Sequence, residues 1–187
     1  MVGKALINHF YGRPQDKSYY LGCSTGGRQA FQNIGMYPDD FDGVLAGAPA
    51  VDWHHLMGST MLLGQYTGAP YGPSSSNYIP PEKWRLISEE INKQCDALDG
   101  VLDGIITEPD DCNFHPETLA CPAGTADSCL TQPQVEALNR VYKPLFDFEG
   151  KLLYPRVDPG AESNRGYEWA LLGQYPLIPV VRAISIT

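Results

Sequence analysis

The chain contains no run of about eighteen or more apolar residues, so it offers no candidate for a transmembrane helix. Basic residues are scarce as well. Thirteen Lys and Arg stand against 22 Asp and Glu, giving a formal net charge of −9. A surface of that sign repels a polyanion, which argues against a nucleic-acid partner. The opening residues, MVGKALINHFYGR, lack the apolar run and small-residue cleavage site of a secretory leader. Histidine is limited to His9, His54, His55 and His115. No C-x2-C pair occurs, and His115 is the only histidine near the clustered cysteines, which leaves little from which to build a zinc site. No internal repeat is found.

What remains is an ordinary globular composition, 43% hydrophobic and 19% charged over 187 residues. That length suits one domain, or one domain and part of a second. The 19 glycines and 16 prolines point to a loop-rich portion. Four of the five cysteines, Cys95, Cys112, Cys121 and Cys129, fall in a segment rich in Asp, Pro and Gly. Such clustering favours disulfides and an oxidising compartment over metal thiolates. The fifth, Cys23, lies apart, beside Ser24.

The N-terminal third reads as an alternation of helix and strand. Ala5, Leu6, Ile7 and Phe10 form the apolar positions of a helix ending at Tyr11, with Gly12 as its cap. Ser18–Cys23 is a short β-prone run, a helical pattern extends from Gly26 to Met36, and Phe41–Ala46 reads as a second buried strand. Strand, tight turn, helix and strand make one βαβ unit of a parallel sheet. Beyond Asp52 the character changes. Helices are expected over 53–66 and 82–95, and a third is expected to open at Thr131, where Thr131 and Gln134 form a T-x-x-Q capping pattern. Residues 96–130 read as irregular, 143–166 as loop, and the last twenty are ambiguous.

Gly22-Cys23-Ser24-Thr25-Gly26 matches G-x-S-x-G in the strand-to-helix context that the motif requires. There a serine occupies a sharp turn so that its hydroxyl projects from the sheet. Small residues two places before and after let strand and helix approach. Ser24 is the candidate nucleophile, and the Thr25 backbone N–H, at the positive end of the following helix, is the candidate oxyanion donor. By itself the pattern also describes a Gly-rich turn with a structural serine, because glycine is frequent here.

Two longer runs carry more information. YYLGCSTGGRQAFQNIGMYPDDFDGVLAGAPAVDW closely resembles the tannase and feruloyl esterase family, and CDALDGVLDGIITEPDDCNFHPETLAC resembles that family's calcium loop. The resemblance runs through about residues 1–155. It implies an α/β fold, specifically part of an α/β-hydrolase catalytic domain over 1–52 that contains the nucleophile-elbow βαβ unit. Part of a disulfide- and calcium-stabilised lid domain follows over 53–187, its tail from 170 to 187 matching nothing in the family pattern. It further implies hydrolysis of small aromatic esters, such as gallate or hydroxycinnamate esters of plant cell walls and polyphenols, through an acyl-serine intermediate in a secreted enzyme. Within the loop at 96–105 it implies a structural Ca2+ held by the carboxylates of Asp96, Asp99 and Asp103 and the backbone carbonyls of Val101 and Ile105. That donor set is the hard oxygen shell calcium prefers, although the spacing is not that of an EF-hand and a solvated acidic loop would look similar. The same resemblance pairs Cys95 with Cys112 and Cys121 with Cys129. Cys23 is left to bridge to a cysteine beside the catalytic histidine, outside these residues.

A hydrolase of this kind also needs a general base and a carboxylate to orient it. His9 precedes the elbow, His54 and His55 open the expected lid, and His115 lies near the calcium loop, none of them where the family's triad histidine falls. The triad Asp and His are therefore expected outside the chain, and two strands are too few to cover a parallel sheet. The expectation is an internal piece of a serine carboxylic ester hydrolase, inactive by itself. The competing reading is a non-catalytic, calcium- and disulfide-stabilised binding module with a degenerate elbow.

Overall fold

The computed structural model describes residues 2–122 and 128–162. It is a mixed helix and strand structure in two compact units, Met1–His54 and His55–Thr187.

The first unit opens with helix α1 (Val2–Tyr11), which stops where Gly12 enters the left-handed region at φ 69°. Its apolar residues find no cover: Val2, Leu6 and Phe10 are all exposed. Strand β1 (Tyr19–Cys23), helix α2 (Thr25–Met36) and strand β2 (Gly43–Gly47) then form the expected βαβ unit. The two strands are parallel, with Tyr19 opposite Gly43 and Cys23 opposite Gly47. Asp42 fixes that register from the chain just before β2. Its carboxylate accepts from the Ser18 N–H at 2.8 Å and from Lys17 Nζ at 2.9 Å, and its own N–H donates to the Ser18 carbonyl at 2.7 Å. The Lys17 contact, and after it the Ser18 N–H, hold the Asp42 carboxyl below the usual carboxylate range.

The second unit carries the larger core. Helix α3 (Trp53–Tyr66) leads to a Gly/Pro loop, then helix α4 (Pro81–Cys95). Trp84, Ile87, Ser88, Ile91 and Cys95 are buried on α4, the i, i+3, i+4 spacing of one helical face. Helix α5 (Gln132–Val141) buries Val135, Ala137 and Leu138 in the same apolar cluster, where Ile79, Phe114 and Leu130 also pack. The capping pattern contributes its glutamine half: Gln134 Oε1 accepts from the Thr131 N–H at 3.0 Å. Gln134 is buried, and its amide also donates to the Tyr78 carbonyl at 2.6 Å while Lys83 Nζ donates to its oxygen at 3.1 Å. One side chain thus joins α5, the start of α4 and the loop before it.

The segment from 96 to 122 is irregular, as its sequence suggests. It is folded by 3-10 turns at Asp96–Asp99, Pro109–Asp111 and Pro116–Leu119 and by disulfides Cys95–Cys112 and Cys121–Cys129. The reading of 143–166 as loop is corrected. Strands β3 (Leu145–Phe146) and β4 (Leu152–Tyr154) pair antiparallel about a turn in which Asp147 Oδ1 accepts from the N–H groups of Glu149 and Lys151, and Gly150 adopts φ 82°. Strands of two and three residues are too short to display alternation, so only the Asp-x-x-Gly turn was there to be read. The ambiguous tail from 170 to 187 lies outside the described residues.

Leu138 is fully buried in the cluster shared by α4 and α5. Leu138→Ala is expected to cost about 2–5 kcal/mol of stability, as for other cavity-forming core truncations, read as a lower urea midpoint at unchanged slope.

Candidate active site

The link between β1 and α2 is a single residue. Ser24 has φ 58° and ψ −116°, a conformation that costs a non-glycine residue on the order of 1–3 kcal/mol and persists only when its surroundings over-determine it. Those surroundings are specific. The Ser24 N–H donates to the Gly47 carbonyl at 3.0 Å, and the Ser24 carbonyl accepts from the Arg28 N–H at 3.0 Å. A Cβ on Gly22 would lie 2.6 Å from the carbonyl carbon and oxygen of Gly26. A Cβ on Gly27 would lie 2.4 Å from the Gly47 carbonyl oxygen and 2.9 Å from Pro49 Cα. Strand and helix therefore meet backbone to backbone.

The expected need for small residues at 22 and 26 is met only in part. Around Gly26 the nearest neighbour of an added Cβ is Tyr20 Oη at 3.8 Å, an ordinary contact. The second steric demand falls on Gly27, which faces β2 and its outgoing turn. Sequence reasoning missed it because the motif ends at 26, although the G-G pair was there as a signal. Ala48, just past the end of β2, is the other non-glycine residue with positive φ among the described residues, at 39°. Both strained residues sit at the carboxyl ends of paired parallel strands, where α/β proteins place their ligand crevices.

Cys23, Ser24 and Thr25 are exposed, and Cys23 is a free thiol. The Ser24 side chain makes no capping bond to α2, and no base is hydrogen-bonded to it among the described residues. His9 lies on α1, His54 and His55 in the first turn of α3, and the ring of His115 is 3.2 Å from the Asn113 amide. The Arg28 guanidinium, from α2, stacks 4.4 Å above the Trp53 ring.

In the second unit, the acidic loop folds on its own carboxylates. Asp96 accepts from the Gly104 N–H at 2.9 Å, Asp99 from Val101 N–H at 2.9 Å, and Asp103 from Ile105 N–H at 3.0 Å. Gly100 and Gly104 supply φ values of 88° and 78°. The Val101 N–H, followed by the Thr107 hydroxyl, holds the Asp99 carboxyl below the usual range. Asp96 thus reaches Gly104 across eight residues, closing the loop. Among the described residues, however, no three His, Cys, Asp or Glu side chains converge into a group that could hold a metal ion.

Arg156 secures the other end of this loop. Its guanidinium donates to the carbonyls of Cys112 and Asp110 at 3.0 Å each and to that of Pro109. Cys112 is disulfide-bonded to Cys95, next to Asp96, so the acidic segment is pinned at both ends. No sequence signal pointed to Arg156, which lies 44 residues beyond Cys112.

This arrangement has relatives. The family model for tannase and feruloyl esterase matches residues 1–169, and the chain belongs to that family. A probable feruloyl esterase B-2 of Aspergillus fumigatus is 45% identical over 164 residues, which cover 87% of this chain and 31% of the relative. Among solved structures, feruloyl esterase B from Aspergillus oryzae matches with a TM-score of 0.81 at 41% identity, over 92% of this chain and 34% of that one. Tannin acyl hydrolase from Aspergillus niger matches with a TM-score of 0.67 at 25% identity, over 97% of this chain and 37% of that one. The chain spans about a third of the length of the relatives it matches.

The crowding around Gly27 gives a direct test. Gly27→Ala is expected to destabilise the protein by about 1–3 kcal/mol through overpacking against backbone. Gly35→Ala, in the same helix with nothing within 4 Å of the new methyl, is expected to be neutral or stabilising by up to about 1 kcal/mol. Urea unfolding of the two variants reads the contrast.

Proposed function

We propose that the chain carries the nucleophile of a carboxylic ester hydrolase acting on esters of aromatic acids, and that Ser24 is that nucleophile. In this reading residues 1–52 are part of an α/β-hydrolase domain and residues from 53 onward part of its lid. The observation that carries it is the backbone of Ser24, strained at φ 58° and ψ −116° between a parallel strand and a helix N-terminus. Strain of that kind is retained where a hydroxyl must be presented at the end of a sheet. Attack by Ser24 Oγ on the ester carbonyl would give a tetrahedral oxyanion facing the Thr25 N–H, and collapse with loss of the alcohol would leave an acyl-Ser24 that water hydrolyses. The general base and its orienting carboxylate are assigned to none of His9, His54, His55 and His115, and the proposal leaves them to residues outside 1–187. Cys23 is proposed to pair with a cysteine beside that base. Such a bridge across a very long loop is worth about 4–5 kcal/mol in the chain-entropy model. Membership of the tannase and feruloyl esterase family supports the ester class. The two disulfides suit a secreted protein.

Replacing Ser24 by Ala in the complete gene product should lower hydrolysis of methyl ferulate or methyl gallate by about 10³-fold or more. Wild-type turnover by that variant would sink the Ser24 reading, and absence of turnover in the unmutated gene product would favour a binding module.

A structural Ca2+ is proposed for the loop at 96–105. Asp96, Asp99 and Asp103 with the carbonyls of Val101 and Ile105 would hold it, an all-oxygen donor set of the kind calcium takes. Two left-handed glycines and three carboxylate-closed turns shape the loop. The support is the chemistry of the donors, since the three carboxylates do not converge. When bound, the ion would supply structural cross-linking and no reacting group. Calcium present at a hundred times its dissociation constant should raise stability by about 2.7 kcal/mol. Thermal unfolding in EDTA and then in excess Ca2+ reads this, and identical curves would remove calcium from the proposal.

A further inference from the structure

The strained Ser24 is held by backbone hydrogen bonds to Gly47 and Arg28, and by one side chain. Tyr20, four residues before Ser24, runs beneath the turn from strand to helix. Its hydroxyl donates to the Gly26 carbonyl at 3.1 Å, with Gln29 Oε1 at 3.3 Å as a second acceptor for the same proton. Its ring fills the space under Gly22, where an added Cβ would lie 2.8 Å from Tyr20 Cε1. Phe41 backs the ring edge to face, with centroids 5.4 Å apart, and the backbone of Tyr20 is paired in register with Val44. Ring and backbone are therefore fixed independently, and the position of the hydroxyl follows from them.

The consequence falls on the peptide between Ser24 and Thr25. Its orientation aims the Thr25 N–H, and it is set by the unfavourable ψ of Ser24 on one side and by the first turn of α2 on the other. If that turn shifts, Ser24 can relax and the N–H swings away. We propose that Tyr20 is a positioning residue for ester hydrolysis. By tying the Gly26 carbonyl to β1, it holds the first turn of α2 in place and keeps the Thr25 N–H aimed at the developing oxyanion. This rests on the reading of Ser24 and Thr25 as nucleophile and donor.

Tyr20→Phe in the complete gene product keeps the ring and removes the hydroxyl. Assayed with methyl ferulate well below the melting temperature, it is expected to lower kcat roughly 10-fold, less than outright loss of an oxyanion donor, with KM within about twofold of wild type. An aryl boronic acid, which mimics the tetrahedral state, should lose affinity by the same factor. In the unliganded protein, amide exchange at Arg28, Gln29 and Ala30 should quicken while that of α5 does not change. Tyr20→Leu, which removes ring and hydroxyl together, should be at least as impaired in kcat. A Tyr20→Phe enzyme with a lower melting temperature but wild-type kcat makes Tyr20 a packing residue and overturns the proposal, as does unchanged exchange in α2. The two readings fail separately. Full activity of Ser24→Ala removes the nucleophile assignment, and the Tyr20 role falls with it. Loss of activity in Ser24→Ala together with wild-type kcat in Tyr20→Phe removes the Tyr20 role alone.

Discussion

Helix α2 approaches the ends of β1 and β2 so closely that Gly22 and Gly27 cannot carry a side chain. Gly22 meets the carbonyl of Gly26, and Gly27 meets the carbonyl of Gly47. This double contact seats α2 on both strands, while the parallel pairing of Cys23 with Gly47 holds the Gly47 carbonyl within hydrogen-bond reach of the Ser24 N–H. With both neighbours held, the residue between strand and helix has no relaxed conformation available. Ser24 is strained because Gly22 and Gly27 let strand and helix close up on either side of it, and the strain persists because those contacts fix the chain. The exposed hydroxyl, the helix N-terminus behind it and the proposed role of Tyr20 all descend from that one approach.

The second unit solves a different problem by different means. Its helices α4 and α5 share a core of large apolar side chains, but the stretch between them has almost no regular structure to contribute. That stretch is held by covalent and polar ties to what is already rigid. Cys112 is bonded to Cys95 at the end of α4, Arg156 gathers the carbonyls of residues 109, 110 and 112, and Gln94 on α4 accepts from the His115 N–H at 2.9 Å. Glu90, whose carboxyl the Gln94 amide holds below its usual range, completes the polar side of α4. An acidic loop suspended this way keeps its shape without a core of its own.

The elbow was legible because everything that makes it lies between Ser18 and Pro49: a strand, two glycines, a helix and a returning strand, each with a local signature. The weight given to Gly26 over Gly27 was misplaced because a motif records which residues recur, whereas the packing of α2 on β2 depends on which face of the helix each residue occupies. The second strand, read as buried over Phe41–Ala46, runs Gly43–Gly47 and leaves Leu45 exposed. The helices at 53–66, 82–95 and from Thr131 onward were equally readable from periodicity and caps. The β3–β4 hairpin was not, since two- and three-residue strands carry no period. The cysteine pairs came from resemblance to the family, because spacing alone left the connectivity open.

Taken by itself, the sequence determined the order of helices and strands as far as α5, the place of the sharp turn, the candidate nucleophile and the oxygen-rich loop, because these depend on residues near one another along the chain. Tertiary structure alone decided that Tyr20 reaches the Gly26 carbonyl, that Gly27 rather than Gly26 bears the steric load, and that Gln134 and Arg156 reach acceptors 56 and 44 residues away. A hydrogen bond between distant residues leaves no periodic trace in sequence. It exists only once the fold has fixed both partners within about 3 Å of each other.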